Sequence, residues 1–195
     1  MLKFSRLERR ELGAIAPAAV VEDCLGLARA AISNAIALER RIGATRLSVL
    51  ADATELQQVV LNLCTNAAHA IGQQTGTITV SLALAQPQQL NDAERGSSRR
   101  YLVLAVHDTG SGIAPEHLGR LFDPFFTTKG VGQGTGLGLS VVHGIVSSFG
   151  GRIQVDSTLG KGTTFAIVLP VLEALPQTAT WDRPYPSCST SARSC

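Results

Sequence analysis

The chain has 195 residues, 45% of them apolar and 16% charged, with a formal net charge of +2. That length holds one domain of ordinary size plus tails, and the apolar fraction supports a sizeable core. No basic block points to nucleic acid, no acidic tail is present, and no apolar run approaches the about 18 residues of a membrane span.

Taken in chain order, Met1 to Arg10 reads as the charged end of a helix. The apolar run Leu12 to Val21 behind it imitates a signal peptide, but Glu8 and Glu11 fall in the positive region and Pro17 splits the apolar part, so no leader is expected. Pro17 opens a helical stretch with Val20, Val21, Leu25, Leu27 and Ile32 as its apolar residues. Ile36 to Leu38 and Ser48 to Leu50 are short strand candidates. Thr54 to Ile71 carries the clearest helical period: Leu56, Val59, Val60, Leu63, Ala67 and Ile71 form one stripe, and Asp52 with Glu55 makes a capping-box start. Thr77 to Leu84 and Tyr101 to His107 read as strands, separated by the polar loop Gln86 to Arg100. Thr109 to Gly136 has no sustained period. Leu137 to Phe149 is helical, with Val142, Ile145, Val146 and Phe149 on one side and Gly150-Gly151 as its stop. Arg152 to Ser157 and Thr163 to Leu169 are strands joined by a turn at Leu159 to Gly162, and Pro176 to Cys195 reads as a disordered tail or a linker. Cys24, Cys64, Cys188 and Cys195 form no C-x-x-C pair and read as reduced, incidental thiols of a cytosolic protein, Cys64 in the core.

Three places carry chemistry. On the helix from Thr54, at about 100° per residue, Glu55, Gln58, Asn62, Asn66 and His69 share one flank, with Asn62 and Asn66 one turn apart. Asn costs about half a kcal/mol against Ala inside a helix, so two need a reason. A solvated flank is one reading. The other is that Asn amide oxygens are neutral, hard ligands of the kind a phosphate-bound Mg²⁺ takes. Next, the strand Tyr101 to His107 delivers Asp108, followed by Gly110 and Gly112. This suits a plain strand-to-turn exit. It equally suits a carboxylate accepting from the exocyclic amine of adenine, a position where guanine offers only an acceptor. Last, Gly130, Gly132, Gly134, Gly136 and Gly138 run directly into the helix that begins at Leu137. Bare backbone at a helix start lets a phosphate reach unpaired N–H groups, and the earlier glycines suit a hinge or lid. The pattern is neither the dinucleotide fingerprint nor a Walker loop.

Taken together and in order, these segments resemble the ATP-binding catalytic domain of bacterial sensor histidine kinases, within the superfamily that includes gyrase and heat-shock-90 ATPases. ELQQVVLNLCTNAAHAI resembles the N box, VHDTGSGI the G1 box, LFDPFFTTK the F box, GQGTGLGLS the G2 box and GKGTTFAIVLP the closing hairpin, covering about Pro17 to Pro170. The resemblance implies a two-layer α/β sandwich of a mixed sheet against helices, with ATP and Mg²⁺ as ligands. It implies that Asn66, helped by Asn62, holds Mg²⁺ and the phosphates, and that Lys129 or Arg120 approaches the terminal phosphate. Asp108 would bind the adenine amine, with Gly112 near the base and Thr163 beside it. Phe125 and Phe126 would anchor the lid, and Gly134, Gly136 and Gly138 would wrap the phosphates. Gly110, Ile113, Thr128, Thr135 and Leu137 complete the implied nucleotide contacts.

Asn62 stands where the superfamily's hydrolases carry a Glu base, and an amide accepts no proton at neutral pH, which favours the kinase branch over hydrolysis. Of His69, His107, His117 and His143, only His107 precedes an acid, and it ends a strand. The expectation is therefore a histidine kinase catalytic domain at residues 13–170, with 1–12 the end of a dimerisation hairpin and 171–195 a tail or linker. Its partners would be a phosphoacceptor hairpin and a response-regulator receiver domain, and its place the cytoplasm. A nucleotide-binding regulatory module and a superfamily ATPase are the alternatives.

Overall fold

A computed structural model describes residues 12–43, 46–127 and 135–172. In chain order the elements are β1 (Gly13–Ile15), α1 (Pro17–Ala31), β2 (Ile36–Ile42), β3 (Ser48–Ala51), α2 (Ala53–Ile71), β4 (Gly76–Leu84), α3 (Asp92–Arg95), β5 (Tyr101–Asp108), α4 (Pro115–Leu118), α5 (Gly138–Ser148), β6 (Arg152–Thr158) and β7 (Gly162–Leu172). The expected helix at Met1 to Arg10, Thr128, Lys129, Gly130, Gly132, Gly134 and the tail from Pro176 lie outside the described residues.

Helix α2 is the spine of the helical layer. Its N-cap Asp52 accepts a hydrogen bond from the Glu55 N–H at 2.9 Å, and Leu56, Val59, Val60, Leu63, Cys64, Ala67 and Ile71 are buried along one side. Each large apolar side chain placed there contributes about 1.5–3 kcal/mol relative to exposure. That far outweighs the propensity cost of Asn62 and Asn66 on the other flank. Helix α2 packs on α1, on α5 and on the sheet.

The sheet runs β1-β3-β7-β5-β4-β2, with β6 also pairing β7. β2 and β4 are parallel and the remaining pairs antiparallel, so the sheet is mixed, as expected. Alternation puts Ile78, Val80, Leu82, Leu102, Leu104, Val106, Phe165, Ile167 and Leu169 in the core beneath the helices. The opposite face carries Thr79, Ser81, Ala105, His107 and Thr164 around a shallow groove.

Four features depart from the sequence reading. Leu27, expected in the α1 stripe, is exposed. The stripe is completed instead by Ala18, Cys24 and Ala28, because small residues let α1 lie close to α2. β1 is a strand of three residues paired with β3, too short to show a period. β2 continues through Glu39, Arg40 and Arg41, since pairing with β4 carries it on where its own alternation fails. The polar loop between β4 and β5 holds a 3-10 turn at Pro87–Gln89 and α3, which Asn91 and Glu94 cap reciprocally. Arg152 of β6 anchors this insert: Nε and one terminal nitrogen bond the two Glu94 oxygens at 2.7 Å each, and the Gln89 carbonyl accepts at 2.7 Å. Val103, Val168 and Arg152 form one row on this face, and both valines are buried beneath the insert.

Candidate functional site

Asp108 ends β5 on the helix-facing side. Register pairs it with Ile78 of β4 and Thr163 of β7, and Thr163 with Ser157 of β6. Directly paired residues share a face, so Ile78, Asp108, Thr163 and Ser157 form one row across four strands. Asp108 and Thr163 are the two buried polar residues among those described, at 2% and 3% exposure. The Asp108 carboxylate takes the Gly110 N–H at 2.8 Å on Oδ1 and is bonded by the Thr163 N–H. Burial is the largest influence on it and pushes its pKa up, while the Gly110 N–H, nearby His107 and the Thr163 N–H pull the other way. The result is a buried carboxylate with acceptor capacity left over.

Glycines make the close approaches around this acid possible. Gly110 lies so near α2 that a Cβ would stand 2.6 Å from the Ala70 carbonyl carbon, and the Ser111 N–H bonds the Ala70 oxygen at 3.0 Å. Gly112 has φ +68° and backs onto the Thr158 carbonyl, while the Gly160 N–H bonds the Ser111 oxygen at 2.7 Å. Gly162 packs on the Asp108 carbonyl. The turn after β5 is thus clamped to α2 on one side and to the β6–β7 hairpin on the other. Ile113 follows, half-buried against the core, with its N–H on Ser157 Oγ at 2.9 Å.

The second half of the site comes from the helices. Gly138 is the first residue of α5, with Leu137 at the N-cap. A Cβ on Gly138 would lie 3.9 Å from Asn62 Oδ1 and 4.0 Å from Asn66 Nδ2. The open N-terminus of α5 therefore faces the two amides of α2. Unpaired N–H groups, the positive end of a helix and two neutral oxygen ligands meet here, a donor set suited to phosphate and a hard cation. Among the described residues no three His, Cys, Asp or Glu gather as a metal cluster. An ion bound here would take amide oxygens in place of the more usual carboxylates and share the phosphates of a nucleotide.

The base of the glycine-rich segment is clasped. The Phe125 N–H bonds the Gly136 carbonyl at 3.0 Å, and a Cβ on Gly136 would meet the Phe125 carbonyl carbon at 2.5 Å. Both residues have φ +66°, and Phe125 is the one non-glycine with positive φ among the described residues. Its backbone anchors the segment although the residue as a whole is 74% exposed. Phe126 is held by its ring: the Arg120 guanidinium lies 4.6 Å from the centroid and His117 packs at 5.7 Å. Arg120 is also 3.5 Å from Asp123. Thr135 Oγ1 accepts from the Leu137 N–H at 3.4 Å. His107 points to the opposite face of the sheet and bonds Thr164 Oγ1 at 2.9 Å.

Of the residues singled out from sequence, Asn62, Asn66 and Gly138 come together where α2 meets α5. Asp108, Gly110, Gly112, Ile113 and Thr163 gather at the end of β5. Phe125, Thr135, Gly136 and Leu137 flank the glycine-rich segment, and Thr128, Lys129 and Gly134 fall outside the described residues. Sequence reasoning missed Ser157. Its signal was present: in β6 it shares phase with Ile153 and Val155, a hydroxyl on the apolar side of a strand.

Residues 51–173 match the family of histidine kinase-, DNA gyrase B- and HSP90-like ATPases, and the chain belongs to that family. The sensor kinase CckA of Brucella abortus (strain 2308) is 39% identical over 174 residues, covering 88% of this chain and 18% of CckA. The sensor histidine kinase ZraS of Salmonella typhi is 45% identical over 140 residues, covering 72% of this chain and 27% of ZraS. The solved structure of the mycobacterial sensor histidine kinase MprB superposes with a TM-score of 0.67 at 27% identity, over 82% of this chain and 97% of that one. The chain thus spans 18% and 27% of the two curated relatives. The shared part is the ATP-binding catalytic domain of sensor histidine kinases.

Proposed function

We propose that this chain binds Mg-ATP between α2 and α5 and presents the γ-phosphate to a histidine on a dimerisation hairpin, supplied in trans or in a longer protein. The observation that carries the reading is the convergence of Gly138 on Asn62 and Asn66, opposite a buried Asp108. Asp108 accepts from the adenine amine. Thr163 lies beside it in the same row. Asn66 and Asn62 hold Mg²⁺ and orient the phosphates, and the α5 N-terminus receives the phosphate charge. Mg²⁺, when bound, neutralises charge that develops on the transferring phosphoryl group. Lys129 approaches the terminal phosphate, and the segment from Phe125 to Leu137 closes over the nucleotide.

Asn62 takes no proton from water, so hydrolysis stays slow, whereas an acceptor imidazole is already a nucleophile. None of the chain's histidines is proposed as acceptor: His69 is in the last turn of α2, His107 lies on the far face of the sheet, and His117 and His143 are packed on Phe126 and Phe122. Residues 1–12 are proposed as the end of the hairpin and 171–195 as a tail or linker. A response-regulator receiver domain is the proposed recipient of the phosphoryl group, and the cytoplasm, where ATP is plentiful, the proposed location. The test is incubation with γ-labelled ATP, with and without an isolated hairpin domain. Label is expected on the hairpin histidine alone. Stable label on a histidine of this chain, or tight ATP binding with no transfer to the hairpin, refutes the reading.

A further inference from the structure

Ser157 sits at a junction of three hydrogen bonds. Its Oγ accepts from the Ile113 N–H at 2.9 Å, reaches the Gly162 carbonyl at 3.1 Å and contacts Thr163 Oγ1 at 2.9 Å. A hydroxyl has one proton and two lone pairs. A carbonyl only accepts, so the Ser157 proton goes to Gly162. An N–H only donates, so Ile113 takes one lone pair. The remaining lone pair faces Thr163, and Thr163 must donate into it. The Thr163 proton is thereby committed away from Asp108, and the free lone pairs of its oxygen are what it has left to offer.

We infer that Ser157 is a positioning residue for base recognition: by holding the Thr163 proton it makes Thr163 Oγ1 an acceptor beside Asp108, so that the site reads a 6-amino purine with two acceptors and rejects a 6-oxo purine. The inference rests on the nucleotide-binding reading above. A 6-amino group has two protons to give, one for the Asp108 carboxylate and one for Thr163 Oγ1, directly or through a water. A 6-oxo group is itself an acceptor and gives neither oxygen a proton, so acceptor faces acceptor in a buried place, which costs affinity. With Ser157 removed, the Thr163 hydroxyl turns and donates to the oxo group, and part of the discrimination goes.

Calorimetric titration with Mg-ATP and Mg-ITP, which differ at the purine 6-position, tests this on wild type, Ser157→Ala, Ser157→Thr, Thr163→Val and Ser157→Ala/Thr163→Val. Wild type is expected to prefer ATP. Ser157→Ala is expected to narrow the ATP/ITP ratio about tenfold, mainly through tighter ITP, and Ser157→Thr to restore it. In the Thr163→Val background, Ser157→Ala is expected to leave the ratio unmoved, because the path through Thr163 is already gone. Ser157→Cys, whose thiol is a weak donor and acceptor, carries the same expectation should the alanine variant not fold. Ser157→Ala lowering both affinities by one factor, or shifting the ratio equally with and without Thr163, overturns the inference and leaves ATP binding standing. Wild type binding neither nucleotide overturns the nucleotide reading and this inference with it.

Discussion

Gly136 and Gly138 are two residues apart and do different work. At Gly136 φ is +66° and a methyl would strike the Phe125 backbone, so Gly136→Ala strains the clasp in the free protein. At Gly138 a methyl meets the Asn62 and Asn66 amides only at 3.9 and 4.0 Å, ordinary contact distances. Gly138→Ala therefore leaves thermal stability unchanged or slightly raised, since Ala favours helix by up to about 1 kcal/mol over Gly. It still puts a carbon where the proposed site would receive the phosphates, and ATP affinity is expected to drop about tenfold or more. Calorimetric melting and nucleotide titration of the two variants separate the roles. Asp108 makes the site respond to pH. Its folded-state pKa is raised, chiefly by burial. Protonating it therefore stabilises the fold: that contribution is complete below the unfolded pKa and is lost as pH rises through the folded one. Accepting from adenine needs the ionised form. Affinity for adenosine is expected to fall as pH is lowered from about 7 through the raised pKa of this acid, above the usual value of about 3.9. In Asp108→Asn that slope disappears and binding is weak throughout.

Among the elements, the β4–β5 insert shows how one side chain holds a segment. Arg152 bonds both Glu94 oxygens and the Gln89 carbonyl. The Arg152 hydrogen bond is the largest influence on the Glu94 carboxyl and lowers its pKa. For a depressed acid the sign is opposite to that of Asp108: Glu94 adds stability above its unfolded pKa and loses it as pH falls through the folded one. Hydrogen bonds to charged groups contribute about 1.5–3 kcal/mol. Arg152→Ala is expected to cost about that much and to speed amide exchange across residues 86–96, with Val103 and Val168 losing their cover. Exchange confined to this segment, with α2 and β5 still protected, is the expected pattern. Nucleotide affinity should hardly change, because the insert lies on the face away from α2 and α5.

For the whole molecule, the proposed site draws on the sheet at Asp108 and Thr163 and on α2 and α5, so a ligand bound there would tie both layers together. Binding to the native state alone adds stability by mass action, about 2.7 kcal/mol at a hundredfold excess over Kd. For a domain of this size that is a rise of roughly 5–10 °C in Tm. Mg-ATP is expected to produce this shift in the wild type and Asn66→Ala to abolish most of it, each shift measured against that variant's own nucleotide-free Tm. An equal shift in Asn66→Ala would remove that residue from the site.

The sequence by itself determined what depends on local chemistry. The α2 stripe, the Asp52 cap and the glycine start of α5 are set within a few turns of chain, and each appears where its pattern placed it. The boxes also carried the family, because each keeps its own side-chain types in order. The tertiary structure alone decided what depends on register and packing. Ser157 joined the site because β6 pairs β7 at a register that sets it beside Thr163, Asp108 and Ile78. Leu27 left the core because smaller neighbours made the contact with α2. β2 ran on through charged residues because β4 offered it hydrogen bonds. In each case the free energy comes from a partner far along the chain, and no local period encodes where that partner will stand.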